Sequence, residues 1–200
     1  MTTNIASSFL KRTLAVLAAL MTTVLVSGCG VNNIPTYENA AKASWAEVLN
    51  QYKRRSDLIP NLVDTVKGFA EQEKSVLTEV VEARAKATQF QIPADILNNP
   101  DAMKQFQDAQ NTLGGALGRL LAVIERYPDI KSGQNFIALQ SELAGTENRI
   151  AIARRDYNQT AQTYNTTLRT FPSIIWAKTM YSGQKPAVLF QATAAAQSAP

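Results

Sequence analysis

Apolar residues return at alternating steps of four and three through most of this chain, and that spacing leaves few folds open. From Ile59 the run reads Ile59, Val63, Val66, Ala70, Glu73, Leu77, Val80, Arg84 and Ala87. A second reads Met103, Phe106, Gln110, Leu113, Leu117, Leu120, Ile124 and Tyr127. The third is longest: Phe136, Leu139, Leu143, Thr146, Ile150, Ala153, Tyr157, Thr160, Tyr164, Thr167 and Phe171. A helix brings such positions onto one stripe that must be buried against other helices. No stretch keeps a period of two, so the expected fold is all-α: an elongated antiparallel bundle of three to four long helices.

The breaks between runs carry helix-ending chemistry. Ile92-Pro93 and Asn98-Asn99-Pro100-Asp101 bracket the first connection, with Pro100 suited to the opening turn of the next helix. Tyr127-Pro128-Asp129 with Gly133 marks the second, and Phe171-Pro172 ends the third run because the residue before proline is pushed out of the helical region. Short connections imply antiparallel neighbours. The third run outreaches the others, and the excess falls to residues 37–58, where Ala41, Trp45, Val48 and Tyr52 extend the same spacing backward. Pro60 lacks a backbone donor and crowds the preceding turn, so a kink or break is expected there, with Ser56 or Asp57 capping the second helix. Two charged residues, Glu73 and Arg84, fall on the stripe. They read either as side chains reaching out from a bundle edge or as ion pairs across the seam, with Arg155 and Glu147 as partners.

The N-terminus gives an address. Lys11 and Arg12 precede an apolar run from Leu14 to Leu25, twelve residues long, where a spanning helix needs about 20. It closes on Val26-Ser27-Gly28-Cys29, the only cysteine, and resembles a bacterial lipoprotein signal. The alternative is an ordinary secretory leader. The resemblance implies that residues 1–28 are removed, that Cys29 carries a diacylglyceryl thioether and an N-linked acyl chain such as palmitate, and that residues 29–36 form a lipidated spacer. One chain anchors marginally, whereas two or three hold a protein at the membrane. Gly30 stands where inner-membrane lipoproteins often carry Asp, which leans toward the outer membrane of a two-membrane host.

Composition removes whole classes of chemistry. There is no histidine, and lipid takes the one thiol, so zinc sites, cysteine nucleophiles, Ser-His-Asp triads and disulfides are unavailable. No cofactor or metal is implied. Removing residues 1–28 takes away Lys11 and Arg12 and no acid, so the formal charge falls from +4 to +2. That balance points away from nucleic acid. Glu71 with Glu73, or Glu79 with Glu82, could serve a carboxylate hydrolase only if enclosed together. Glutamates so spaced among lysines and arginines read more simply as a solvated helix face, so no catalytic residue is expected. A groove between helices is the remaining ligand site, with the pairs Arg54-Arg55 and Arg154-Arg155 for anions and Tyr157 and Tyr164 on the seam.

Lys53-Arg54-Arg55-Ser56-Asp57-Leu58-Ile59-Pro60-Asn61-Leu62-Val63, followed by Val66-Lys67-Gly68, resembles the signature of the LemA family. Ala83-Arg84-Ala85, Glu125-Arg126-Tyr127-Pro128, Thr146-Glu147-Asn148-Arg149-Ile150, Ala153-Arg154-Arg155, Tyr157-Asn158, Tyr164-Asn165 and Phe171-Pro172 agree in order. The resemblance implies a bacterial envelope protein with a helical domain over residues 37–182 and no established enzymatic activity. Members commonly end in an apolar Pro-x-Val-x-Phe segment, whereas this chain stops at Pro200, a departure that leaves the packing role of its C-terminus open. Residues 183–200 read as a low-complexity, disordered tail in which Val188-Leu189-Phe190 is the one segment able to dock back. The expected function is a membrane-anchored, non-catalytic scaffold or adaptor for another envelope protein. The alternative is a peptide or small-ligand sensor.

Overall fold

The computed structural model describes residues 12–18, 30–69 and 72–191, with only the backbone of Phe69. Residues 12–18 are an exposed helical stretch. The order that follows is α1 (Asn33–Thr65), a 3-10 turn (Lys67–Phe69), α2 (Lys74–Gln89), a second 3-10 turn (Ile96–Asn98), α3 (Pro100–Ile124), the short α4 (Pro128–Lys131), α5 (Gln134–Thr167) and the short α6 (Ser173–Lys178). The described residues contain no strand. The all-helical, long-helix expectation holds.

Cross-helix pairs fix the directions. Trp45 meets Tyr157 with ring centroids 5.6 Å apart and Arg55 meets Glu147 at 2.8 Å, so α1 and α5 run antiparallel. Glu73 pairs with Arg126 and Phe90 lies 6.0 Å from Phe106, so α2 and α3 do too. Asn99 caps α3 by accepting from Ala102 N at 3.1 Å, with Pro100 in the opening turn. α1 and α5 have 33 and 34 residues, roughly 50 Å each, and outreach the α2–α3 pair. At the end they share, α6 packs against α1.

The spacing translates into two cores. Toward the α6 end the packing is aromatic: Trp45, Tyr52, Phe106, Tyr157 and Phe190. Toward the opposite end it is aliphatic, built on Ile59, Leu62, Val66, Leu77, Val80, Leu113, Leu120, Ile124 and Leu143. On α5 the buried stripe steps from Tyr157 to Ala161, not to Thr160. Two consecutive four-residue steps, Ala153–Tyr157–Ala161, offset the drift of a straight helix against a strict heptad. Thr160 instead returns its hydroxyl to Tyr157 O at 3.0 Å.

Of the kink or break expected at Pro60, the break is not there. α1 continues through Pro60 to Thr65, and the chain turns over residues 66–73 instead. A proline at position 60 deprives the carbonyl of Ser56 of its helical donor. Arg84 of α2 supplies one from outside, donating Nε–H to Ser56 O at 3.0 Å. An antiparallel neighbour thus mends the ladder at the position where proline opens it. Ser56 and Asp57 consequently lie inside α1 and cap nothing.

Candidate functional site

Cys29 lies outside the described residues, but the next residue is placed. Gly30 has φ +102°, a left-handed conformation that favours glycine. A Cβ on it would meet Pro172 Cγ and Ser173 Oγ at 3.4 Å. Gly30 therefore has a structural reason to be glycine, apart from any sorting role. Asn33 N donates to Gly30 O at 3.1 Å and Ile34 is fully buried, so the chain is helical from Asn33, where a spacer was expected to run to residue 36. Gly30 thus sits against the start of α6, at the end of the bundle shared by α1 and α5.

Mid-way along α1 a guanidinium is buried. Arg55, 3% exposed, donates Nη1–H to Glu147 at 2.8 Å and Nη2–H to Gln110 O and Oε1 at 2.9 and 2.8 Å. Its Cζ lies 5.1 Å from the centre of the Tyr52 ring. A buried charge persists only when so paired, and this layer ties α1, α3 and α5 at one height. The partners expected for Glu73 and Arg84 differ from those found. Glu73 takes Arg126 at 2.8 Å and the Tyr127 hydroxyl at 3.1 Å, Arg84 serves Ser56 O, Glu147 takes Arg55, and Arg155 pairs with its neighbour Asp156.

On α5 the candidate tyrosines are occupied by the chain's own C-terminal segment. Asn165 accepts from Ala187 N at 2.6 Å and donates to Ala187 O at 2.8 Å. Asn158 does the same for Phe190, at 2.8 and 3.1 Å. Seven helical residues rise about 10.5 Å and three extended residues about 10 Å, so one heptad of α5 matches three residues of the tail. Tyr157 donates to Val188 O at 2.7 Å, Tyr164 donates to Gln184 Oε1 at 3.0 Å, and Val188 N donates to Leu97 O at 2.6 Å. Arg154 donates to Gln191 O at 3.1 Å and lies 4.7 Å above the Phe190 ring. Burial holds both phenols neutral, raising the pKa of Tyr157 strongly and that of Tyr164, with help from Glu38, to about 12.

The segment expected to be disordered from residue 183 is therefore docked as far as Gln191, while residues 192–200 lie outside the described residues. Pro186, Val188 and Phe190 form the Pro-x-Val-x-Phe pattern read as missing. The dockable Val188-Leu189-Phe190 segment was visible in sequence; the paired asparagines that hold it were not, because Asn158 and Asn165 look like ordinary polar helix residues.

An open hollow of about 410 Å³ lies beside α1, its lining including Leu49, Tyr52 and Ser56 of α1 with Phe90, Ile92 and Phe106. The Ser56 hydroxyl is buried and has no hydrogen-bond partner. Of the expected groove residues, Arg54 pairs with Glu142 on the surface, and Arg154, Tyr157 and Tyr164 face the tail. None of them lines the hollow. Glu79 pairs with Arg119 and Glu82 is exposed, so that pair is not enclosed; Glu71 lies outside the described residues. Among the described residues no cluster of acids or cysteine could hold a metal ion, and no helix is long and apolar enough to cross a membrane.

The sequence profile of the LemA family matches residues 44–200. The chain belongs to the LemA family. Its relatives include the magnetosome protein MamQ of Magnetospirillum gryphiswaldense, 30% identical over 173 residues, 78% of this chain and 62% of the relative. Magnetosome protein MamQ 2 of Paramagnetospirillum magneticum is 31% identical over 151 residues, 68% and 55% of the two chains. Protein LemA of Metamycoplasma hominis is 23% identical over 123 residues, 60% and 50%. This LemA-family chain thus spans about half to three-fifths of the curated relatives it matches.

Proposed function

We propose that this LemA-family protein is a lipid-anchored, non-catalytic scaffold of the bacterial envelope, held by acyl chains on Cys29 and presenting a helical rod to a partner protein. The observation that carries the reading is the employment of the polar side chains. Arg55, Glu147, Gln110, Glu73, Arg84, Asn158 and Asn165 all bind other parts of the same chain, which leaves no enclosed acid–base pair among the described residues. The position of Gly30 at one end of the bundle supports anchorage there, with the long helices projecting outward toward periplasm or cell exterior. In a two-membrane host the absence of Asp after Cys29 favours the outer membrane.

The test is cross-linking in intact cells followed by capture of the full-length lipoprotein. The reading expects a defined envelope protein that disappears when exposed residues of the α1–α5 rod are changed to charges of opposite sign. Capture of the same proteins by an unrelated lipoprotein, or of none, would remove the scaffold role. A second reading, a small-ligand sensor, rests on the hollow, where an uncharged, largely apolar molecule could cover Leu49, Phe90 and Ile92. Its test is Leu49→Trp, which fills the hollow: a ligand found with the native protein must be lost, and retention would discard the reading.

A further inference from the structure

The end of the bundle that carries the attachment point has the wrong surface for water. Phe171 is 76% exposed, Met180 64% and Ile175 49%, all within ten residues around α6. An apolar cluster of that kind marks a surface with a partner. Its charge is one-sided. After Asp156 the sequence contains no acid, only Arg169, Lys178 and Lys185, all exposed and without an ion pair among the described residues. Glu38, the acid that reaches this end from α1, is taken by Lys42 at 2.6 Å and by Gln184 at 3.0 Å. Pro172 and Ser173, between Phe171 and Ile175, lie 3.4 Å from where a Cβ on Gly30 would be, and Gly30 is the residue that follows Cys29 in the sequence.

We infer that the α6 end is a second membrane contact: Phe171, Ile175 and Met180 enter the interface of a bilayer whose anionic headgroups meet Arg169, Lys178 and Lys185. Apolar side chains flanked by lysine and arginine are the composition that lies in an interface, and anionic lipid adds an attraction that salt weakens. A lipid tether alone lets a rod swivel. With this contact the two long helices are held away from the membrane, and their far end stands roughly 50 Å out.

The inference rests on the anchor reading, and one reconstitution separates the two. The native lipoprotein is placed in vesicles of phosphatidylcholine with phosphatidylglycerol, part of it brominated on the acyl chains. Flotation reports the anchor. Quenching of Trp176, which sits in α6, reports the contact, since the other tryptophan, Trp45, is buried in the core. The expected result is flotation together with quenching of Trp176, which is half-buried at the edge of the aromatic core and comes within reach of the brominated chains only if α6 lies in the interface. Phe171→Ser with Ile175→Ser and Met180→Ser should float but lose the quenching. Arg169→Glu with Lys178→Glu, which removes no packed side chain, should do the same, while Ile137→Ser, at the far end of α5, changes nothing. Flotation without quenching in the wild type, or quenching untouched by both sets of changes, overturns the contact and leaves the anchor standing. Failure to float overturns the anchor and this inference together.

Discussion

If Arg84 mends the gap that Pro60 opens in α1, then the two residues are energetically coupled, although they lie on different helices. Arg84→Met keeps most of the aliphatic stem but leaves the Ser56 carbonyl without its 3.0 Å donor. A hydrogen bond from a charged donor contributes about 1.5–3 kcal/mol net, and the loss is smaller where water can reach the freed acceptor. Arg84 is only half-buried, so the expected cost is about 1.5 kcal/mol, a fall in Tm of roughly 3–6 °C for a chain of this length. Pro60→Ala restores an amide at position 60 that donates to Ser56 O within the helix. In that background Arg84→Met should cost no more than about 0.5 kcal/mol, giving a coupling near 1 kcal/mol. Urea unfolding followed by circular dichroism on the four members of the cycle measures it. Equal costs of Arg84→Met in both backgrounds would show that Arg84 acts by packing alone.

Three further outcomes are expected. Asn165→Ala should expose the amides of Ala187 and its neighbours to hydrogen exchange at least about tenfold faster while leaving α2 and α3 unchanged; unaltered protection would mean that the asparagine pairing holds nothing. Arg55→Ala should destabilise the chain by about 3 kcal/mol, the cost of breaking a buried charge layer, and a loss below about 1 kcal/mol in urea unfolding would contradict its role. Alkali should weaken the fold. Tyr157 and Tyr164 have raised pKa values in the folded chain, so the stability they contribute is complete below about pH 10, where the unfolded phenol is protonated, and is lost as pH rises through about 12. In a pH series, Tyr164→Phe should flatten the decline between those limits; an unchanged slope would show that Tyr164 does not titrate with unfolding.

The fold was legible where one physical rule governed a stretch. Every residue of the Met103–Ile124 stripe is buried, because burying one helix face is what four-three spacing does, and Asn99-Pro100 begins α3 because the local donor and ring chemistry allow little else. What was not legible depended on distant residues. Pro60 by itself promised a kink or break, and the donor that replaces its missing amide comes from Arg84, 24 positions later in the sequence. The tail looked too poor in apolar residues to order itself, yet as far as Gln191 it is held by the amides of Asn158 and Asn165, the Tyr157 hydroxyl and the burial of Phe190. The ion-pair partners of Glu73 and Arg84 failed for the same reason: spacing names the face of a helix, whereas the partner depends on the height at which neighbouring helices cross. The lipidation proposed at Cys29 concerns a processing step, so its evidence must be chemical.

The mass of the protein extracted from membranes with detergent tests the central claim most directly. The account predicts a polypeptide that begins at Cys29 and is heavier than residues 29–200 by a diacylglyceryl group and an N-acyl chain, with the added mass confined to the N-terminal peptide after digestion. A polypeptide that retains residues 1–28, or begins at Cys29 with a bare thiol, would contradict it.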